Sequence, residues 1–231
     1  MNDACLQAGE STRPWARAPT LDEELRRVLP VLRHAVTLGV PVSVDTSQPQ
    51  VMRAALDLGV DIVNDVRALR RSGALDVLAG HERAGVCLMH MEGEPDTMQV
   101  TLHDGDAVSA VREFLAARLA AVRARGVAAD RIVLDPGIGF GKTVEHNLDL
   151  LRRQCELLDL GAPLLVGWSR KSTLGAITGR SVHERQSASV AAALLAVERG
   201  ASIVRVHDVA ATVDALALWR SIVPDNKKDP T

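Results

Sequence analysis

An aspartate that runs at once into a glycine-rich turn and a lysine, Asp135-Pro136-Gly137-Ile138-Gly139-Phe140-Gly141-Lys142, sets a charge on permissive backbone. That combination suits the close presentation of a carboxylate to a small ligand. Two familiar phosphate-binding loops fail here on spacing. A P-loop needs a glycine five positions before Gly141, where Pro136 stands, and a dinucleotide fingerprint needs G-x-G-x-x-G where this loop runs G-x-G-x-G. A different ligand is implied, and Lys142 is left as an unassigned charge. Further chemistry-bearing residues occupy similar places: Asp45, Asn64, Met89 with His90, residues 167–171 (Gly-Trp-Ser-Arg-Lys), and Arg205 with His207.

Each of these follows a short β-branched run. Strands are expected over residues 40–44, 61–63, 85–89, 131–134, 163–166 and 201–206. Helical spacing fills the intervals, at residues 21–38, where Leu21, Leu25, Val28, Leu29 and Leu32 share a face, and at 107–125, 187–198 and 209–223. Thr20 with Glu23 forms a capping-box pattern, Ser47 stands two residues before Pro49, and Gly39, Gly59, Gly126 and Gly200 fall at helix ends. Strict alternation of strand and helix predicts a parallel sheet covered by helices. An open doubly wound sheet uses mainly the strand ends at its switch point, whereas a barrel converges all of them on one mouth. Any single polar strand end reads equally well as a cap or turn former; six together favour the barrel.

The chain of 231 residues is 47% hydrophobic and carries 27 basic against 29 acidic residues, a net charge of -2. A single domain over residues 1–231 is expected, with residues 226–231 a frayed polar tail. Near-neutrality argues against nucleic-acid or membrane-surface partners, which are attracted by a basic excess. The apolar runs are too short to span a bilayer and the first residues do not read as a signal peptide, so a cytoplasmic location is expected. Cys5, Cys87 and Cys155 are odd in number and lack C-x-x-C spacing, which indicates neither a disulfide frame nor a zinc cluster.

Seven segments in one order resemble the dihydropteroate synthase family: Gly9-Glu10-Ser11-Thr12-Arg13-Pro14, Ser43-Val44-Asp45-Thr46, Val63-Asn64-Asp65-Val66, Leu88-Met89-His90-Met91, residues 134–142, Ser169-Arg170-Lys171-Ser172 and Arg205-Val206-His207-Asp208-Val209. The corrinoid-type pterin methyltransferases share its barrel and pterin carboxylates, and the Ser-Arg-Lys-Ser run separates the two. The resemblance implies an α/β, TIM-type (β/α)8 barrel, usually a homodimer, that joins p-aminobenzoate to hydroxymethyl-dihydropterin pyrophosphate with magnesium present. It further implies that Asp45, Asn64, Met89, Asp135, Gly167 and Lys171 hold the pterin, with Lys171, Asp135 and Asp45 serving the chemical step. The pyrophosphate falls to Thr12, Arg13, Arg205 and His207. The p-aminobenzoate falls to Thr12, Pro14, Phe140 and Ser172, with Phe140, a glycine-flanked aromatic, expected as a mobile lid and Arg170 as structural.

A pterin edge presents adjacent N–H donors and a carbonyl; carboxylates accept the donors, an amide gives and receives, and an ammonium answers the carbonyl. Asp135, Asp45, Asn64 and Lys171 form such a set. The chain departs from the family before residue 9, where about fifty residues ordinarily supply a first strand, an asparagine loop, a helix and a second strand. Residues 1–8 are expected as an irregular remnant, and no residue can be given the magnesium-binding asparagine's role. The barrel is therefore expected to be incomplete at its N-terminus, with residues 201–206 an unpaired edge and the chain unstable, aggregation-prone or rescued by a partner. The alternative reading is a catalytically inactive pterin-binding fragment or partner subunit.

Overall fold

The computed structural model describes residues 5–9, 19–93 and 105–223. Among them, seven strands alternate with helices: β1 (Leu6–Gly9), α1 (Leu21–Ala35), β2 (Val42–Asp45), α2 (Pro49–Asp57), β3 (Ile62–Asp65), α3 (Ala74–Ala79), β4 (Gly85–Met89), α4 (Ala107–Ala124), β5 (Ile132–Asp135), α5 (Val144–Arg152), α6 (Cys155–Leu158), β6 (Leu165–Val166), α7 (Ser172–Thr178), α8 (Gln186–Glu198), β7 (Ile203–Val204) and α9 (Val209–Ile222). All strand pairs are parallel and sequential. A five-stranded sheet runs β1 to β5, a bridge between Leu134 and Leu164 joins it to the next segment, and β6 pairs with β7. This is an open α/β barrel of the TIM type, in which β1 and β7 have no partner on their outer edges among the described residues.

The register brings the chemistry-bearing residues into rows. Gly9 pairs with Asp45, Asp45 with Asn64, and Met89 with Asp135. A Cβ on Gly9 would sit 2.0 Å from the Asp45 carbonyl oxygen, so only glycine lets β1 approach so closely at this level. The expected strands all exist, but β2, β3 and β5 end one or two residues later than the apolar runs. Hydrogen-bond pairing carries the ladder through the polar residue itself, because Asp45, Asp65 and Asp135 can end a strand without leaving it. Residues 6–8, part of the segment 1–8 expected as an irregular remnant, form with Gly9 a strand in register with β2, since their backbone groups have a ladder to join.

Helix starts follow the sequence signals closely. Thr20 and Glu23 form the capping box of α1, and left-handed Gly39, Gly59, Gly126 and Gly200 follow helices. Ser47 is not a cap: Gln48 takes that position ahead of Pro49, and the Ser47 hydroxyl instead donates to Asp65. The inner face of α1 carries Val28, Leu32 and Ala35, and also a buried acid, Glu24, which accepts from the Thr46 hydroxyl just past β2. One large core joins helices to strands, with Leu32, Met52, Leu78, Leu88, Leu115 and Leu134 fully buried. Each such side chain contributes roughly 1.5–3 kcal/mol. Among the described residues no helix is long and apolar enough to cross a membrane.

Candidate active site

At the carboxyl ends of the strands, Asp135 and Arg205 form an ion pair whose carboxylate is fully buried and whose guanidinium is partly buried. The Arg205 guanidinium donates to Asp135 Oδ2 at 3.0 Å and to Asn64 Oδ1 at 3.4 Å, while Asp135 Oδ1 accepts from the Gly137 amide at 2.7 Å. Gly167 leaves room for this guanidinium, since a Cβ there would stand 3.1 Å from it. Asp45 lies beside Asn64, its Oδ2 accepting from Gln7 Nε2 at 2.9 Å. Burial raises the Asp45 carboxyl to about 6, against the pull of the Arg205 charge and the Asn64 amide. Among the described residues no full hydrogen bond joins Asp45 to Asn64, and Asp45 Oδ1 and Asn64 Nδ2 are both buried without a partner. Each unmet group costs about 1–3 kcal/mol, so an acceptor and a donor stand ready for a ligand.

Lys171 completes the cluster from the loop after β6. Its Nζ lies 4.1 Å from the centre of the Phe140 ring, and its chain crosses Gly139, where a Cβ would meet it at 3.2 Å. Burial lowers its ammonium to about 8, with the Arg205 charge acting the same way and Asp135 and Asp45 opposing. Phe140, expected as a mobile lid, is 5% exposed and packs with Val66, Met89 and Met91. The contacts of its ring are core contacts despite the flanking glycines. Those glycines serve the loop's close approach to β4: Gly137 is left-handed at φ 68°, and a Cβ on it would lie 1.8 Å from the His90 carbonyl oxygen. Lys142 gains an assignment here. It is buried, donates to the Gly137 and Phe140 carbonyls at 3.0 Å each, and meets His90 Nδ1 at 2.9 Å. Burial pushes it down to about 7, although Asp135 and Glu92 pull the other way.

Behind these groups stands a second layer that residue type alone did not single out. Asp65 accepts from the Ser47 hydroxyl and from the Arg67 and Leu69 amides, the latter two at 2.8 Å. It thereby holds a loop whose Ala68 and Leu69 are both left-handed, at φ 51° and 58°, a conformation costing roughly 1–2 kcal/mol per residue. Arg118 of α4 donates to the Ala68 carbonyl at 2.8 Å from the other side. Asn147, 1% exposed, accepts from the Gly139 amide at 2.7 Å and donates to Thr173 at 3.0 Å, tying the glycine loop to α7. Arg170, expected as structural, forms a forked pair with Asp208 at 2.8 and 3.2 Å. Strand alternation was the available signal for Asp65, which must face away from its neighbour Asn64 and so needs a buried partner.

His207 is exposed at the same mouth, its amide donating to Ser169 Oγ at 3.1 Å. Ser172 opens α7 and is exposed, and Met89 is fully buried beneath Phe140. Thr12, Arg13 and Pro14 lie outside the described residues. A cleft of about 620 Å³ lies at the opposite ends of the strands, between residues 56–61 and 80–84, and contains none of the expected site residues. Among the described residues no three His, Cys, Asp or Glu side chains gather as a metal site. The cluster can therefore bind a polar planar heterocycle through fixed donors and acceptors, with cationic groups beside it.

Comparison with known proteins agrees in both sequence and structure. A family model described as pterin binding enzyme matches residues 8–207. Dihydropteroate synthase of Neisseria meningitidis serogroup B is 50% identical over 219 residues, covering 93% of this chain and 77% of that protein. Dihydropteroate synthase of Xanthomonas albilineans, solved with 4-aminobenzoic acid, superimposes with a TM-score of 0.90 at 47% identity, covering 95% of this chain and 80% of the other. That of Burkholderia cenocepacia, complexed with 7,8-dihydropteroate, gives 0.86 at 53% identity over 94% and 81% of the two chains.

Proposed function

From the premise that this chain belongs to the pterin-binding enzyme family and groups with its dihydropteroate synthases, we infer how its residues divide the work. The observation that carries the reading is the buried pair Asp45 Oδ1 and Asn64 Nδ2, unpartnered among the described residues, beside the Asp135–Arg205 couple. A pterin's amino-pyrimidinone edge offers the donors and the acceptor that this set lacks. Asp135, Asn64 and Asp45 hold the ring and Lys171 faces its carbonyl, each charge-assisted bond contributing on the order of 1.5–3 kcal/mol. His207 and Arg205, with Thr12 and Arg13, serve the pyrophosphate.

The reaction breaks the methylene C–O bond, and the pyrophosphate leaves with the electron pair. The resulting methylene cation is stabilised by the electron-rich ring. The p-aminobenzoate nitrogen then bonds to that carbon and loses a proton, giving dihydropteroate. Positioning and electrostatics carry the catalysis, and no enzyme nucleophile is needed. Ser172, with Thr12 and Pro14, is proposed for the p-aminobenzoate; the Phe140 ring in this arrangement faces Lys171 and joins that subsite only on rotation. The described donor set does not itself fit magnesium, so the metal enters the proposal as the pyrophosphate's companion and no step runs through it.

A cytoplasmic homodimer completes the proposal, supported by free cysteines and by exposed apolar residues Ile177, Leu195, Val213, Leu218 and Ile222 on α7, α8 and α9. The purified chain, given hydroxymethyl-dihydropterin pyrophosphate, p-aminobenzoate and magnesium, is expected to form dihydropteroate by chromatography. Pterin binding without product would instead identify an inactive pterin-binding subunit.

A further inference from the structure

Lys171 sits on an unfavourable turn. Its amide donates to the Trp168 carbonyl at 3.2 Å, closing a four-residue turn whose third position, Arg170, is left-handed at φ 59°. Glycine is the usual occupant of that position, because a side chain there is strained. The turn is held from outside. The Ser189 hydroxyl of α8 accepts from the Arg170 amide at 3.0 Å and donates to the Arg185 carbonyl at 2.6 Å. The Arg185 guanidinium then reaches back and donates to the carbonyls of Arg170 at 3.1 Å and Lys171 at 3.2 Å, while its Nε donates to the Arg180 carbonyl at 3.0 Å. Among the described residues it meets no carboxylate; its Nη1 and Nε are both directed at backbone oxygen.

We propose that Arg185 is a positioning residue for Lys171, fixing the backbone from which the lysine side chain crosses Gly139 to the strand-end cluster. Two features favour this over a general stabilising role. The two carbonyls gripped together belong to the peptides on either side of the Lys171 Cα, so releasing them frees the residue that bears the ammonium. Gly175 of α7 is kept empty for the same guanidinium, since a Cβ there would stand 2.1 Å from Arg185 Nη2. A helical glycine weakens its helix, so its presence here is accounted for by the arginine rather than by α7.

The proposal rests on the functional reading above only for the role of Lys171, and its test does not need turnover. Gly175→Ala should expel the guanidinium while leaving α7 as helical or more so. Side-chain nitrogen NMR of the ligand-free chain, in which Lys171 is one of four lysines, follows the titration of its ammonium. In the parent chain the midpoint is expected at about 8. In Gly175→Ala and in Arg185→Ala it should move up by half a unit or more, as the freed lysine gains water, and Arg185→Lys should restore part of the shift. The double variant should match Arg185→Ala alone, because both changes remove one interaction. Where the parent chain makes dihydropteroate, both single variants should also lose about tenfold or more in kcat/KM. An unmoved Lys171 midpoint in Gly175→Ala, with the melting temperature retained, would overturn the positioning role. A shifted midpoint in a chain that forms no product would sustain it and count against the synthase reading alone.

Discussion

Asp45 carries its charge where charge is disfavoured, and this has a measurable sign. Its carboxyl is raised from 3.8 to about 6 by burial, so between those values the folded chain binds a proton that the unfolded chain has released. Stability therefore falls as pH rises through that window and stays lowered above it. Asp45→Asn should raise the unfolding free energy by roughly 1–3 kcal/mol near neutral pH, a gain that fades below the ordinary aspartate value, while pterin affinity drops. Urea titration at both pH values checks this; an Asn variant less stable at neutral pH would contradict it. At this scale the side chains that cluster at the strand ends were legible, since Asp45, Asn64, Asp135 and Lys171 each follow a β-branched run. Phe140 and Lys142 were not, because flanking glycines say nothing about whether a loop folds over solvent or down onto β4. The His90 carbonyl and the Met89–Met91 cluster decide that, and both come from a strand some fifty positions away.

Among the elements, strands were read well and the loops that follow them poorly. A β-branched run marks its own strand, whereas the loop after β3 depends on partners from two other segments as well as on its own amides. Ser47, Arg118 and the loop's own amides converge on residues 65–69, and none of those pairings has a local pattern. Asp65→Ala would leave a hydroxyl and two amides unmet around two left-handed residues, and is expected to cost about 2–4 kcal/mol by chemical denaturation. A loss below 1 kcal/mol would mean that Arg118 alone holds the loop.

For the molecule as a whole, the order of strands and the end of the barrel at which the polar side chains gather followed from alternation and from polar strand ends. The open seam is visible in the pairing itself. Leu6 of β1 and Ile203 of β7 are 43% and 41% exposed, and among the described residues their strands are each paired on one side only. The Ile203 and Arg205 amides bond to β6-side carbonyls, which turns the intervening Val204 amide toward the unpaired edge. Hydrogen exchange should find Val204 exchanging orders of magnitude faster than Leu134, whose amide bonds to the Pro163 carbonyl at 2.9 Å. Equal protection would show that the seam is closed in solution, for instance by a second copy of the chain. An exposed strand edge of this kind also invites association, and protein-concentration dependence of the melting temperature would reveal it.

The proposed function stands or falls with pterin recognition by the strand-end cluster, of which Asp135 is the most buried charge. Calorimetric titration with hydroxymethyl-dihydropterin pyrophosphate addresses it directly. Asp135→Asn keeps the side chain's shape but turns an acceptor into a donor and leaves Arg205 without its partner. The variant should bind at least about tenfold more weakly than the parent, corresponding to loss of one charge-assisted bond. Unchanged affinity in a folded Asp135→Asn chain would contradict the account.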